Sequence, residues 1–133
     1  MVDLRRMRYL MNKIPQQVFR IEQAKSDAMK ITQTLSDMPH GSGVHSKVED
    51  GYDRIEQAVD AYEKVLGELG VMRKELEPYI EMLTDPNERA AITLRYMHGM
   101  KAREIADMIY KCERQVHRYL QDGEKHMDGI NRQ

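Results

Sequence analysis

The fold of the C-terminal part of the chain is decided by residues 102–121, which read AREIADMIYKCERQVHRYLQ. Two short helical patterns lie here, one over residues 102–109 and one that starts at Glu113, with a three-residue turn between them. Ala106 is small enough for the second helix to cross closely over the first. Ile105 and Ile109 face inward beside it. This spacing predicts a helix-turn-helix.

The second helix of this pair is predicted to be amphipathic. Val116 and Leu120 form its inward stripe, which leaves the long polar side chains on the outer face. Arg and Gln side chains make bidentate contacts with guanine and adenine edges, and Arg and His side chains also reach phosphates. The candidate base-reading residues are Arg114, Gln115, His117, Arg118 and Gln121. Spacing alone leaves open a helix pair that only packs and binds no DNA.

Residues 83–127 resemble region four of the sigma-70 family. The motifs that carry the resemblance are Asn87-Glu88-Arg89, Leu94-Arg95-Tyr96, Gly99, Glu104-Ile105-Ala106 and Glu113-Arg114-Gln115-Val116. With its N-terminal half included, the chain resembles phage and prophage transcriptional regulators of the RinA and ArpU late-gene activator type. The resemblance implies that a recognition helix from about Glu113 reads double-stranded DNA in the major groove. It also implies transcriptional control, with host RNA polymerase as a further partner.

The resemblance also assigns phosphate contacts to three basic residues near the turn, Lys101, Arg103 and Lys111. The sequence departs from the family pattern at three positions. Lys101 and Cys112 stand where Ser or Thr often caps a helix, and Tyr110 stands where many turns have Gly or Asn, a position that can require a positive φ. These departures are expected to change the angle of the recognition helix rather than to remove it.

Residues 1–83 contain two long amphipathic patterns. From about residue 3 to residue 37, apolar residues recur at steps of three and four, across Pro15, where we expect a kink. A loop is expected at about residues 39–45, and a capping box starts the next helix at Ser46. Two heptad tracks of that helix are predicted to face the first helix: Val48, Ile55, Tyr62, Leu69, Leu76 and Leu83, and beside them Tyr52, Val59 and Leu66.

Together these patterns predict an all-α protein. A long, coiled-coil-like antiparallel hairpin occupies residues 1–83, and a small sigma region-four-like helix-turn-helix domain occupies residues 84–130. The domain's first helix starts at Asp85, because Asp is a good N-cap and Pro86 follows it at the first helical position.

Composition excludes several classes of protein. No stretch of the 133 residues approaches the ~20 apolar residues of a membrane span, and the first residues lack a signal peptide's apolar segment. The sequence therefore predicts no membrane partner and a cytoplasmic location, and the phage resemblance implies that this is the cytoplasm of a bacterial host. Cys112 is the only cysteine, so neither a disulfide framework nor a cysteine zinc site is expected. His40 and His45 lack further ligands, and no nucleophile–base pair is visible; we expect no metal, no cofactor and no enzyme.

Two alternatives to a DNA-binding regulator stay open. Residues 86–133 hold nine basic and seven acidic residues, a balance of only +2, which is compatible with an RNA polymerase-binding adaptor that does not bind specific DNA. A terminase small-subunit-like binder of packaging-site DNA also combines a helix-turn-helix with long helices. A homodimer through the hairpin is compatible with the sequence, because long hairpins tend to leave a second apolar stripe, and two helices that cover each other's apolar faces are the open alternative.

Overall fold

The structure is a computed structural model, and it describes residues 1–36 and 43–132. The helices are α1 (Leu4–Ser36), α2 (Gly43–Glu81), α3 (Pro86–Ile92), α4 (Ala102–Ile109) and α5 (Glu113–Arg132), with a short π-helix at Thr93–Met97 between α3 and α4. The predicted all-α class is confirmed. Within the two described ranges, no helix is both long enough and apolar enough to cross a membrane.

The helices form two compact units. The helix-turn-helix unit consists of Met1–Met11 and Leu69–Gln133, and the hairpin unit consists of Asn12–Glu68. The sequence patterns placed the boundary between the hairpin and the helix-turn-helix domain between residues 83 and 84. The division differs because the first turns of α1 and the last turns of α2 belong to the same unit as α3, α4 and α5. Their buried apolar residues, such as Met7 and Leu76, contribute to that unit's core.

The hairpin unit packs α1 against α2 along a line of small residues. A Cβ atom on Gly51 would lie 3.6 Å from the Cβ of Ala28, an ordinary contact distance. Ala58 and Val65 continue the buried line of α2 at heptad spacing. The predicted companion track of Tyr52, Val59 and Leu66 was therefore wrong by one residue: Tyr52 and Leu66 are exposed and Val59 is only half-buried. A pattern of bulky apolar residues misses this line, because Gly and Ala allow the two helices to come close.

The predicted loop at residues 39–45 falls mostly outside the described residues. Residues 43–45 belong to α2, which therefore begins before the predicted start at Ser46. Pro15 lies inside α1 and Pro78 inside α2, so neither proline ends its helix.

The first helix after the hairpin starts as the sequence predicted. Asp85 has extended backbone angles, and its carboxylate accepts hydrogen bonds from the backbone N–H groups of Asn87 at 2.8 Å and Glu88 at 3.4 Å. Pro86 occupies the first helical position, where its missing N–H would have had no partner. The cap thus fixes the entry of the chain into α3.

The π-helix was not predicted. In a π-helix the backbone bonds run from residue i to i+5, which changes the pairing of carbonyls near its end. Arg73 of α2 donates from Nε to the carbonyl of Tyr96 at 2.7 Å, and Arg95 donates to the carbonyl of Met100 at 3.2 Å. Gly99, with φ of 67°, then turns the chain toward α4.

Candidate nucleic-acid interface

The core of the helix-turn-helix fixes which face of α5 points outward. Ile105 and Ala106 of α4 and Val116 of α5 are buried in one cluster with Ala91 of α3, and Leu120 packs against it. These are the inward residues that the sequence indicated. Because Val116 and Leu120 are held inward, with Tyr119 packed against the same cluster, the other positions in these turns of α5 face the surface.

The turn between α4 and α5 contains a residue in the left-handed region. Tyr110 has φ of 58° and ψ of 45°, and its N–H donates to the carbonyl of Ala106. The N–H of Lys111 reaches the same carbonyl at 3.1 Å. The side chain of Tyr110 is 93% exposed, so it contributes little packing to offset the strain of a non-glycine residue in this region. The sequence identified this position as one that can need a positive φ, and it has one.

The start of α5 is capped from within the helix. Gln115 turns its side-chain oxygen back toward Cys112, where it accepts from the backbone N–H at 3.3 Å and lies 3.5 Å from the thiol sulfur. This is one half of a capping box, with Gln in the third helical position. The absence of a serine cap at residue 112 is thus partly compensated. The oxygen of Gln115 is engaged in this cap, which leaves its amide nitrogen to meet a ligand.

The remaining base-reading candidates all lie on the surface of α5. Arg114, Arg118 and Gln121 follow one another at steps of four and three, so they share one face of the helix. His117 lies beside them, with Nε2 3.7 Å from the carboxylate of Glu113. All of these side chains are exposed. They form a row of hydrogen-bond donors, which is the chemistry that base edges and phosphates accept.

The three phosphate candidates lie at the edges of the same motif. Lys101 precedes α4, Arg103 is in its first turn, and Lys111 is in the turn before α5; all three are exposed. Lys101 makes no side-chain cap to α4. The motif therefore carries positive charge at the start of one helix and at the entry to the next.

A cleft beside α5 contains residues that the sequence did not place near the site. His117 and Gln121 line it together with Arg8 of α1 and with Arg95 and Tyr96 of the π-helix. No local pattern could have found this grouping, because Arg8 and Tyr96 are 88 positions apart. The cleft extends the donor-rich surface of α5 toward the start of α1.

A hydrogen-bonded triad lies at the base of this cleft. Arg8 donates to the Tyr96 hydroxyl at 2.8 Å and approaches Glu124 at 3.4 Å, while the Tyr96 hydroxyl donates to the Glu124 carboxylate at 2.5 Å. Burial raises the pKa of Tyr96, and its bond to Glu124 raises it further. The hydroxyl therefore stays protonated and holds α5 to the start of α1.

A second polar tie joins α5 to α3. Nδ1 of His126 lies 2.7 Å from a carboxylate oxygen of Glu88, which is itself buried. The hydrogen bond to Glu88 and the negative charge of that residue raise the pKa of His126 above its ordinary value. Over the described ranges, no group of three or more His, Cys, Asp or Glu side chains is placed to hold a metal ion.

Comparison with known proteins gives no family assignment. No protein-family model, no curated protein and no solved structure matches this chain significantly.

Proposed function

We propose that the protein is a phage-type DNA-binding transcriptional regulator, in which α5 lies in the major groove of double-stranded DNA. The observation that carries the proposal is the exposed row of Arg114, Arg118 and Gln121 on the second helix of a helix-turn-helix. The opposite face of α5 is held by a buried core, so this row is presented on a rigid element. A recognition helix needs this combination.

The side chains divide into two groups by their reach. Arg114, Arg118, Gln121 and His117 read base edges, and the amide nitrogen of Gln115 adds a donor at the start of the helix. Lys101, Arg103 and Lys111 dock the motif on phosphates, since they flank α4 and the turn. Such a regulator acts in the cytoplasm of the bacterial host, where the phage genome is transcribed, and host RNA polymerase is its second partner.

The experiment is fluorescence anisotropy of the full chain on DNA tiles from its own genomic neighbourhood, with random DNA as the reference and a salt series. We expect one tile to bind at least ~1000-fold more tightly than random DNA. Arg114→Ala or Arg118→Ala should each cost about 1–3 kcal/mol of that specific binding.

The matched control is the double variant Arg20→Ala/Arg54→Ala, which removes the same charge from exposed positions of the hairpin unit. It should retain the preferred tile, whereas Arg114→Ala/Arg118→Ala should lose it while keeping its helical circular dichroism. Uniform, steeply salt-dependent binding to every tile would contradict sequence-specific recognition, because it reports backbone contact alone.

A polymerase-binding adaptor is the second candidate, and one observation favours it. Glu104 and Asp107 of α4 are exposed on the same motif as the basic row, and Met108 is exposed between them and the turn. Met is enriched at protein interfaces, where a polar rim surrounds the buried apolar centre. Capture of host RNA polymerase by a chain that shifts no DNA tile would support the adaptor over the regulator.

The proposal also includes a homodimer formed through the hairpin unit. α1 and α2 of that unit expose apolar side chains in addition to those that they bury against each other.

A further inference from the structure

One face of the hairpin unit carries exposed apolar side chains on both helices. On α1, Val18 is 41% exposed and Met29 is 64% exposed. On α2, Tyr52 is 65% exposed and Leu66 is 38% exposed, with the half-buried Val59 midway between them. Apolar side chains scattered singly over a surface are ordinary. These five therefore indicate an interface only if they lie together in one patch.

The five side chains form one patch rather than scattered positions. Tyr52, Val59 and Leu66 recur every seven residues, and Val18 and Met29 are eleven residues, or three turns, apart; each set therefore lies along one side of its helix. Met29 and Tyr52 line a single groove between the helices, so the two sets open on the same face of the hairpin. The patch is two helices wide and about 20 Å long at 1.5 Å per residue.

The two helices of the hairpin differ in charge. Residues 12–31 of α1 hold four basic and two acidic residues, a balance of +2, while residues 47–68 of α2 hold three basic and seven acidic residues, a balance of −4. A second hairpin can lay its acidic α2 against this α1 and its basic α1 against this α2. This arrangement brings opposite charges together at both contacts. A second hairpin that lays α2 against α2 brings like charges together.

We infer that the face formed by Val18, Met29, Tyr52, Val59 and Leu66 binds the same face of a second copy of this chain, with α1 of each copy against α2 of the other. The inference rests on the proposed homodimer and adds its interface and orientation. A two-fold axis parallel to the helices generates this pairing, since it repeats one patch on both copies. The product is a four-helix bundle whose inner layer contains both apolar stripes.

The test is sedimentation equilibrium of the full chain over a concentration series. Tyr52→Glu and Leu66→Glu each place a charge in the proposed interface, and we expect at least about a tenfold rise in the dimer dissociation constant.

The matched control is Phe19→Glu, which removes an equally exposed aromatic ring, 66% against 65%, and adds the same charge. Phe19 lies midway between the buried Gln17 and the half-buried Ile21, so it points to the opposite, exposed side of α1. Phe19→Glu should leave the dissociation constant unchanged.

The outcomes separate the inference from the proposed homodimer. A monomeric wild-type chain at every concentration overturns both. A dimer that Tyr52→Glu and Leu66→Glu leave intact, or that Phe19→Glu weakens equally, keeps the homodimer and overturns this interface. A ring of eight or so copies overturns the two-fold bundle and favours the packaging-site binder.

Orientation is tested by cross-linking in a Cys112→Ser background. Ala28 lies beside Gly51 within one hairpin, and a two-fold axis parallel to the helices keeps this level, so Lys25 of one copy lies within one helical turn of the level of Glu56 of the other. A mixture of the Lys25→Cys chain and the Glu56→Cys chain should therefore give mainly the mixed product with a short bismaleimide. Products in which each variant links only to itself would overturn the α1-against-α2 pairing.

Discussion

Gly123 lets α5 pack closely against α3, because its side chain is a single hydrogen atom. A Cβ atom there would lie 2.8 Å from Cγ1 and 3.2 Å from Cδ1 of Ile92, whose side chain is fully buried and has little room to move. We expect Gly123→Ala to lower the free energy of unfolding, because overpacking costs about 1–3 kcal/mol while the helix-propensity gain is at most about 1 kcal/mol. Urea denaturation measures the difference.

Gly129 provides the control in the same helix. No atom outside its own helical surroundings lies within 4 Å of an added Cβ there, so Gly129→Ala should gain up to about 1 kcal/mol. If both substitutions raised the free energy of unfolding, the contact between α5 and Ile92 would have room for a methyl group at Gly123.

The backbone strain at Tyr110 is also a property of one residue. A left-handed conformation costs a residue with a Cβ roughly 1–2 kcal/mol, and Gly does not bear this cost. Tyr110→Gly should raise the free energy of unfolding by about 0.5–1 kcal/mol, since Gly also loses more entropy on folding. Tyr110→Ala removes the exposed ring but keeps the Cβ, so thermal unfolding should show a gain for Gly alone. Equal effects of the two variants would assign the change to the ring.

At the scale of elements, the pairing of His126 with Glu88 makes the attachment of α5 to α3 depend on pH. The pKa of His126 is raised in the folded protein, so its bond to Glu88 stabilises the fold fully below the ordinary histidine pKa of about 6.5. This stabilisation is lost as the pH rises through the raised pKa. His126→Gln should therefore differ most from wild type near about pH 5.5 and least near about pH 8.5 in urea titrations. A difference that grew with pH would contradict the ion pair.

At the scale of the whole molecule, the start of α1 is part of the helix-turn-helix unit. Met7 is fully buried, and Met→Ala in a core typically costs about 2–5 kcal/mol. We expect Met7→Ala to reduce hydrogen-exchange protection in α5, more than a hundred residues further along the chain. Phe19→Ala, on an exposed position of the same helix, should leave that protection unchanged. Full protection of α5 in Met7→Ala would show that the helix-turn-helix does not depend on the packing of Met7.

Local patterns predicted the parts of this fold that local physics determines. The cap at Asp85 and the inward positions of Ile105, Ala106 and Val116 follow from side-chain chemistry and helical period. The packing line of α2 does not follow from these local patterns. Gly51 carries no apolar side chain, and its contact is visible only when α1 lies beside it. Hydrophobic periodicity counts bulk, whereas closely packed helices select small residues.

The candidate site shows the same limit. Periodicity gave the outward row of α5, but it could not show that Gln115 caps its own helix or that Arg8 lies in the cleft beside His117 and Gln121. The π-helix that positions Tyr96 leaves no residue signature in the sequence, since its five residues include good α-helix formers.

The bonds from Arg8 to Tyr96 and Glu124 also bear on the order of folding. They join residues 88 and 116 positions apart, so the unit that they close cannot be completed until the end of the chain has been made. During synthesis on the ribosome, the hairpin of residues 12–68 can fold from nearby contacts first, which shortens the loop that these bonds must close. Until α5 is made, the core that contains Met7 and Leu10 is incomplete. The nascent chain therefore exposes part of this apolar core to chaperones until its last helix is made.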